Sequence, residues 1–224
     1  MQNKKNFYIN GQWVSPIEPR SFEVINPATE EPCAEISLGG KKDVDAAVTS
    51  AKKAFETWGF TTKEERLNLF EKLYEIYKKN WDQMAKTISL EMGAPIDFST
   101  ELQTKTGASH IKSFKNILKN FKFEKTLDEE KNQTILYEPK GVCALITPWN
   151  WPINQVNLKV IPALAAGCTV VLKPSEIAPL SSMLLAEMMH DAGFPKGVFN
   201  LVNGDGAVTG DALTSHPDID MISF

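Results

Sequence analysis

From Phe7 to Ser37 apolar and polar residues follow an extended pattern. Phe7-Tyr8-Ile9 and Gln12-Trp13-Val14 flank Asn10-Gly11, a pair whose tolerance of positive φ makes it a strong short-range hairpin signal. Asn26-Pro27-Ala28-Thr29 marks a turn. The period then becomes helical. Val44, Ala47, Val48, Ala51, Phe55 and Trp58 form one stripe, with Asp43 placed to cap it. Thr62 and Glu65 have the spacing of a capping box for a helix presenting Leu69, Leu73, Ile76 and Tyr77. Gly93 and Pro95 stop the following helical run, and another helix is expected over 98–121. The charged stretch 121–131 reads as a surface connection, and 134–139 as an exposed strand.

After Gly141 short apolar runs alternate with helical segments. Val142-Cys143-Ala144-Leu145-Ile146 and Thr169-Val170-Val171-Leu172 are continuous, and Val198-Phe199-Asn200-Leu201-Val202 is broken by one Asn. Strands buried on both faces of a parallel sheet have this character. Helices are expected between them at 154–166 and at 180–192. The second carries Leu180, Leu184, Leu185, Met188, Met189 and Ala192 on one side and Gly193 as its stop. Met221-Ile222-Ser223-Phe224 begins a fourth strand. The fold class expected is α/β: an N-terminal hairpin and helices, then half of a doubly wound, parallel, Rossmann-like sheet. Because the sequence stops on an apolar strand, a truncation is expected there.

Composition narrows the partners. With 24 Lys plus Arg against 28 Asp plus Glu, the net charge of −4 gives no electrostatic case for nucleic acid or an anionic membrane. No apolar run approaches the roughly 20 residues of a bilayer span, and Met1–Lys5 lacks the apolar core of a secretory signal. A cytoplasmic location is expected. Cys33, Cys143 and Cys168 are far apart, without CxxC or a matching His, so no metal site is expected. Cys143 lies inside a strand and Cys168 at a helix-to-strand junction, and both read as small buried hydrophobes, not nucleophiles. His110, His190 and His216 stand singly and read as surface or helix-end residues.

In open α/β sheets ligands bind at the carboxyl ends of the strands, which directs attention to three loops. Thr147-Pro148-Trp149-Asn150-Trp151-Pro152 is stiffened by two prolines and fixes an amide donor suited to an oxyanion, or else forms a rigid turn with Asn150 bonded to its own backbone. Lys173 and Glu176 lie close enough to share a ligand, the carboxylate accepting ribose hydroxyls; the alternative is an exposed ion pair. Gly204-Asp205-Gly206 with Gly210 is a glycine-rich turn able to approach a pyrophosphate, though it reads GxGxxxG and serves equally as a plain turn.

Taken together, these loops resemble the aldehyde dehydrogenase superfamily. The matching segments are 145–152, 166–176 and 193–202, with Ile9-Asn10-Gly11-Gln12-Trp13 and Val24-Ile25-Asn26-Pro27-Ala28-Thr29 near the start. The likeness covers essentially the whole sequence but only about the first half of a family member. It implies oxidation of an aldehyde to an acid with NAD, by way of a cysteine hemithioacetal that gives up hydride and a glutamate-activated water. On this resemblance Asn150 would hold the oxyanion and Lys159 would relay protons. Ile146, Thr147, Pro148 and Trp149 would lie under the cofactor. Lys173, Ser175 and Glu176 would sit at the adenosine ribose, and Gly206 and Gly210 near the adenine and pyrophosphate. A carboxylate facing the ribose disfavours a 2′-phosphate, so NADP is the less favoured cofactor. The resemblance divides the chain into 1–124 (hairpin and helices of the cofactor-binding domain), 125–138 (part of an oligomerisation arm) and 139–224 (NAD-binding). The catalytic domain, with its nucleophile and general base, is absent, so the fragment alone is expected to be inactive. A small-molecule aldehyde is the expected substrate, and a homodimer or homotetramer the expected parent assembly. The alternative is a stand-alone nucleotide-binding or interaction module.

Overall fold

The computed structural model describes residues 4–128 and 130–224. At its centre is a six-stranded sheet in the order β10-β7-β8-β9-β1-β2. Four strands are parallel: β7 (Val142–Ile146), β8 (Thr169–Lys173), β9 (Phe199–Leu201) and β10 (Met221–Ser223). Alternate residues of each strand serve opposite layers. Cys143, Leu145, Val170 and Leu172 face a core shared with α6 (Pro152–Ala166) and α7 (Leu180–Ala192). Val142, Ala144 and Val171 face a smaller core with Val44, Ala47, Val48 and Ala51 of α1 (Lys41–Trp58). Burial on both faces explains why those runs contain no polar alternation.

The hairpin β1 (Phe7–Ile9) and β2 (Gln12–Val14) forms as its Asn-Gly turn predicts, with φ of 53° at Asn10 and 73° at Gly11. It then does what the local pattern could not show. β1 pairs antiparallel with β9 through Tyr8 and Leu201, so the hairpin completes the edge of the parallel sheet. The Asn10 N–H donates to Asn200 Oδ1 at 3.0 Å, giving the one polar residue of the third apolar run its partner.

Around this sheet lie β3 (Arg20–Asn26) paired with β4 (Glu31–Leu38), and the helices α2 (Lys63–Lys79) and α3 (Trp81–Met92). The Thr62–Glu65 capping box is present, and Gly93 stops α3 in the left-handed region at φ 76°. Trp58 packs wholly inside and donates its indole N–H to the Cys168 carbonyl at 3.0 Å.

Several expectations are corrected. Gly40, not Asp43, is the N-cap of α1; Asp43 sits at the third helical position, reaching back to the Gly40 N–H at 2.9 Å and taking the Ile17 N–H at 2.8 Å. α2 buries Arg66, Phe70, Leu73 and Tyr77, leaving Leu69 and Ile76 only half-buried. The single helix expected over 98–121 is three pieces. α4 (Ile96–Phe98) passes through a π-helical stretch, Ser99–Thr104, into α5 (Lys105–Asn120). α6 starts two residues early because Pro152, with φ already helical, fits the first turn. α7 is buried nearly all round, Ser181, Ser182 and Met183 included, so its polar residues did not mark a wet face. The charged stretch after Phe121 is not merely a connection. β5 (Glu124–Asp128) pairs with β6 (Gln133–Leu136) as a separate two-stranded ladder exposing Leu127 and Leu136. Among the described residues no helix is long and apolar enough to cross a membrane.

Candidate active site

Parallel register brings the carboxyl ends of β7, β8 and β9 to one edge, and the strand order reverses at β7, with β10 on its other side. A crevice forms where neighbouring connections diverge in this way. A cleft of ≈400 Å³ lies there, lined by Ile146, Lys173, Gly206, Gly210, Asp211 and Phe224 among others. Four residues singled out from the sequence therefore share one wall, although they come from the tips of β7 and β8 and the turn after β9.

Lys173 is the buried charge of this cleft, only 3% exposed. Its ammonium donates to the Gly204 carbonyl at 2.7 Å and to the Pro174 carbonyl at 3.1 Å, with Glu176 at 3.6 Å. Burial holds its pKa below the ordinary lysine value, opposed by Glu176 and Asp205. The exposed ion pair weighed as the plain alternative is thus corrected: one partner is sealed and tied to the backbone of the glycine-rich turn. Glu176 remains partly exposed. Ser175 accepts the Ile177 N–H at 3.3 Å and so shapes the loop. The Thr147 N–H donates to the Lys173 carbonyl at 3.2 Å, stitching the first loop to the second.

The glycines divide by role. A Cβ on Gly204 would lie 1.8 Å from Thr209 Oγ1, so packing forbids a side chain there. At Gly206 a Cβ would meet nothing within 4 Å. Gly206 opens onto the cleft and leaves room for a ligand to reach the backbone. The stretch Gly206–Gly210 is a π-helical turn leading into α8 (Asp211–Thr214). Asp205 accepts the Val208 N–H at 2.8 Å and takes an ion pair from Arg20 at 2.6 Å.

Pro148, Trp149 and Asn150 stand exposed on the loop after β7. Among the described residues no hydrogen bond ties the Asn150 amide to its own backbone, and its side chain is exposed. Trp151 instead packs edge-on against Phe98, ring centroids 5.6 Å apart, anchoring the loop's far end. Lys159 lies outside the cleft, in a groove of ≈550 Å³ beside α6 and β10, where its ammonium donates to Ser223 Oγ at 2.9 Å.

No cysteine lines the cleft among the described residues. Cys143 and Cys168 sit near the amino ends of β7 and β8, opposite the strand tips, and are buried. Cys168 beside it, together with burial, pushes the Cys143 thiol pKa up. Arg20 and Thr209 carry no signal in the sequence, where Asp205 is read only as part of the glycine-rich turn. Arg20 meets Asp205 across 185 residues, a separation carrying no local signal.

Residues 13–224 match the sequence model of the "Aldehyde dehydrogenase family". The chain is 49% identical over 225 residues to a 3-succinoylsemialdehyde-pyridine dehydrogenase of Pseudomonas sp, covering all of this chain and 46% of that protein. The crystal structure of an aldehyde dehydrogenase from Bartonella henselae superposes with a TM-score of 0.97 at 58% identity, covering 100% of this chain and 47% of the other. A mutant of aldehyde dehydrogenase C from Pseudomonas syringae, solved with NAD+ and octanal, gives 0.96 at 47% identity, covering 98% and 45%. The chain thus spans about half the length of the relatives it matches.

Proposed function

We propose, from the premise that this chain belongs to the aldehyde dehydrogenase family, that it supplies the dinucleotide site and the oxyanion donor of an NAD-dependent enzyme oxidising an aldehyde to a carboxylic acid. The observation that carries this reading is the single cleft holding Ile146, Lys173, Gly206 and Gly210 at the tips of parallel strands. The similar Pseudomonas syringae enzyme, solved with NAD+ and octanal, supports both the cofactor and the substrate class.

The residues fit such a cofactor. Open space at Gly206 admits close approach to the backbone, and a buried ammonium beside a partly exposed carboxylate suits a ribose with two hydroxyls. Bound NAD supplies a hydride acceptor. In this reading Lys173, Ser175 and Glu176 hold the adenosine ribose, Gly206 and Gly210 flank the adenine and pyrophosphate, and Ile146, Thr147, Pro148 and Trp149 form the floor. Asn150 donates its amide to the oxygen that becomes negative when a thiolate adds to the aldehyde. Lys159, held on Ser223, relays a proton. The nucleophilic thiol and the general base belong outside the described residues, and without them the chain does not turn over. Residues 1–124 and 139–224 make up the cofactor-binding unit. The exposed ladder of β5 and β6 is the first part of an oligomerisation arm in a homodimeric or homotetrameric parent.

Cofactor choice tests the reading. The Glu176 carboxylate should repel a 2′-phosphate, so calorimetry of the native polypeptide carrying this sequence should show NAD bound at least about tenfold more tightly than NADP. Glu176→Gln should narrow that ratio chiefly by improving NADP. Equal affinities in the wild type would contradict the placement of Glu176.

A further inference from the structure

A residue that contacts the glycine-rich turn and that the proposed chemistry does not use is Arg20, at the start of β3. Its guanidinium bridges two parts of the molecule: one nitrogen donates to Asp205 Oδ2 at 2.6 Å, the other to the Gly39 carbonyl at 3.1 Å. The same Gly39 carbonyl accepts the Thr209 hydroxyl at 2.6 Å, and the Gly39 N–H donates to the Asn203 carbonyl at 2.8 Å. The N-terminal strands are thereby pinned to both ends of the Gly204–Gly210 turn.

Electrostatics give the contact a second consequence. Asp205 places a carboxylate between two cleft residues: Lys173 is bonded to the carbonyl before it, and the Gly210 N–H donates to its own carbonyl at 3.0 Å. An uncompensated carboxylate there would oppose any anionic ligand entering beside Gly206, since a unit charge acts over several ångströms when partly screened. Both side chains of the pair are partly exposed, which makes its worth to folding small. Its value lies in charge and position.

We propose that Arg20 is a positioning and charge-compensating residue for dinucleotide binding: it neutralises Asp205 beside the cleft while fixing the Gly204–Gly210 turn against the N-terminal strands. This rests on the reading of the cleft as a dinucleotide site. Asp205 takes the Val208 N–H on Oδ1 and the Arg20 guanidinium on Oδ2, and Asn can make the same capping bond, so the two functions can be separated.

The experiment is calorimetric titration of NAD into the native polypeptide carrying this sequence, with hydrogen exchange of residues 204–210 in the absence of ligand. Arg20→Met should weaken NAD about tenfold and speed exchange in that turn, with the thermal midpoint nearly unchanged. Asp205→Asn should bind as well as the wild type. The double variant Arg20→Met/Asp205→Asn should recover affinity to within about twofold, because the carboxylate that needed compensation is gone. A merely structural role would not give this rescue. Wild type that binds NAD alongside an unaffected Arg20→Met, or a double variant as weak as Arg20→Met, overturns the proposal and leaves the cleft reading intact. Wild type that takes up no NAD overturns the cleft reading itself.

Discussion

Replacing Asn150 with Ala in the complete enzyme is expected to lower kcat by about 10²- to 10³-fold while leaving the thermal midpoint and the KM for NAD nearly unchanged. On the proposed reading the size follows from where the amide acts. A donor fixed toward the oxygen that gains charge stabilises the transition state more than the ground state, so its removal lowers kcat. The loop supports that role, since Pro148 and Pro152 bracket it and Trp151 is packed on Phe98, while Asn150 itself is exposed and carries no packing duty. Asn150→Asp separates shape from charge: a carboxylate of the same size cannot donate and repels the oxyanion, so it should be at least as damaging as Ala. Steady-state kinetics with an aliphatic aldehyde, beside a thermal melt, checks both. A loss in kcat below about threefold for Asn150→Ala would remove the amide from the chemistry.

The second large effect is on folding. Glu91, fully buried on α3, accepts the Leu180 N–H and, at 3.0 Å, the Ser181 N–H, so it caps α7 from another helix. Burial pushes its pKa from 4.5 up to about 7, against the pull of those two donors. A carboxyl whose folded pKa is raised binds its proton more tightly when folded. Its contribution is therefore fully present below about pH 4.5 and is lost as pH rises to about 7. Over that window the displacement corresponds to about 3 kcal/mol. Urea midpoints should fall between pH 5 and pH 8 in the wild type and stay nearly level in Glu91→Gln, which cannot ionise. Glu91→Ala should lose about 3 kcal/mol already at pH 5, where two buried N–H groups are left without acceptors. A Glu91→Gln profile as steep as the wild type's would assign the slope to other groups.

These two residues also show what could be read from the chain. The loop that carries Asn150 could be located because strand tips can be read from apolar runs, and the cleft collects Ile146, Lys173, Gly206 and Gly210 for the same reason. Glu91 carries no local signal, since its partners lie 89 and 90 residues away. Arg66 escaped for a similar reason. Its position in α2 looks solvent-facing, yet it is buried with one guanidinium nitrogen donating to the Ala165 carbonyl at the end of α6, at 2.8 Å. The hairpin was legible as a hairpin from Asn10-Gly11, but its place at the sheet edge was not, because register with β9 depends on a neighbour some 190 residues on. Local periodicity sets the elements; long-range pairing sets which buried charges are tolerated and where the site's supports come from.

Gly206 separates ligand approach from packing better than any other position. A Cβ there meets nothing in the protein, whereas a bound dinucleotide passing close to the turn would collide with a branched side chain. Calorimetric titration of NAD into Gly206→Val should therefore show affinity reduced at least about tenfold, with an unaltered melting temperature in the absence of ligand. Unchanged NAD affinity in that variant would mean that the dinucleotide does not lie where these three strand tips meet.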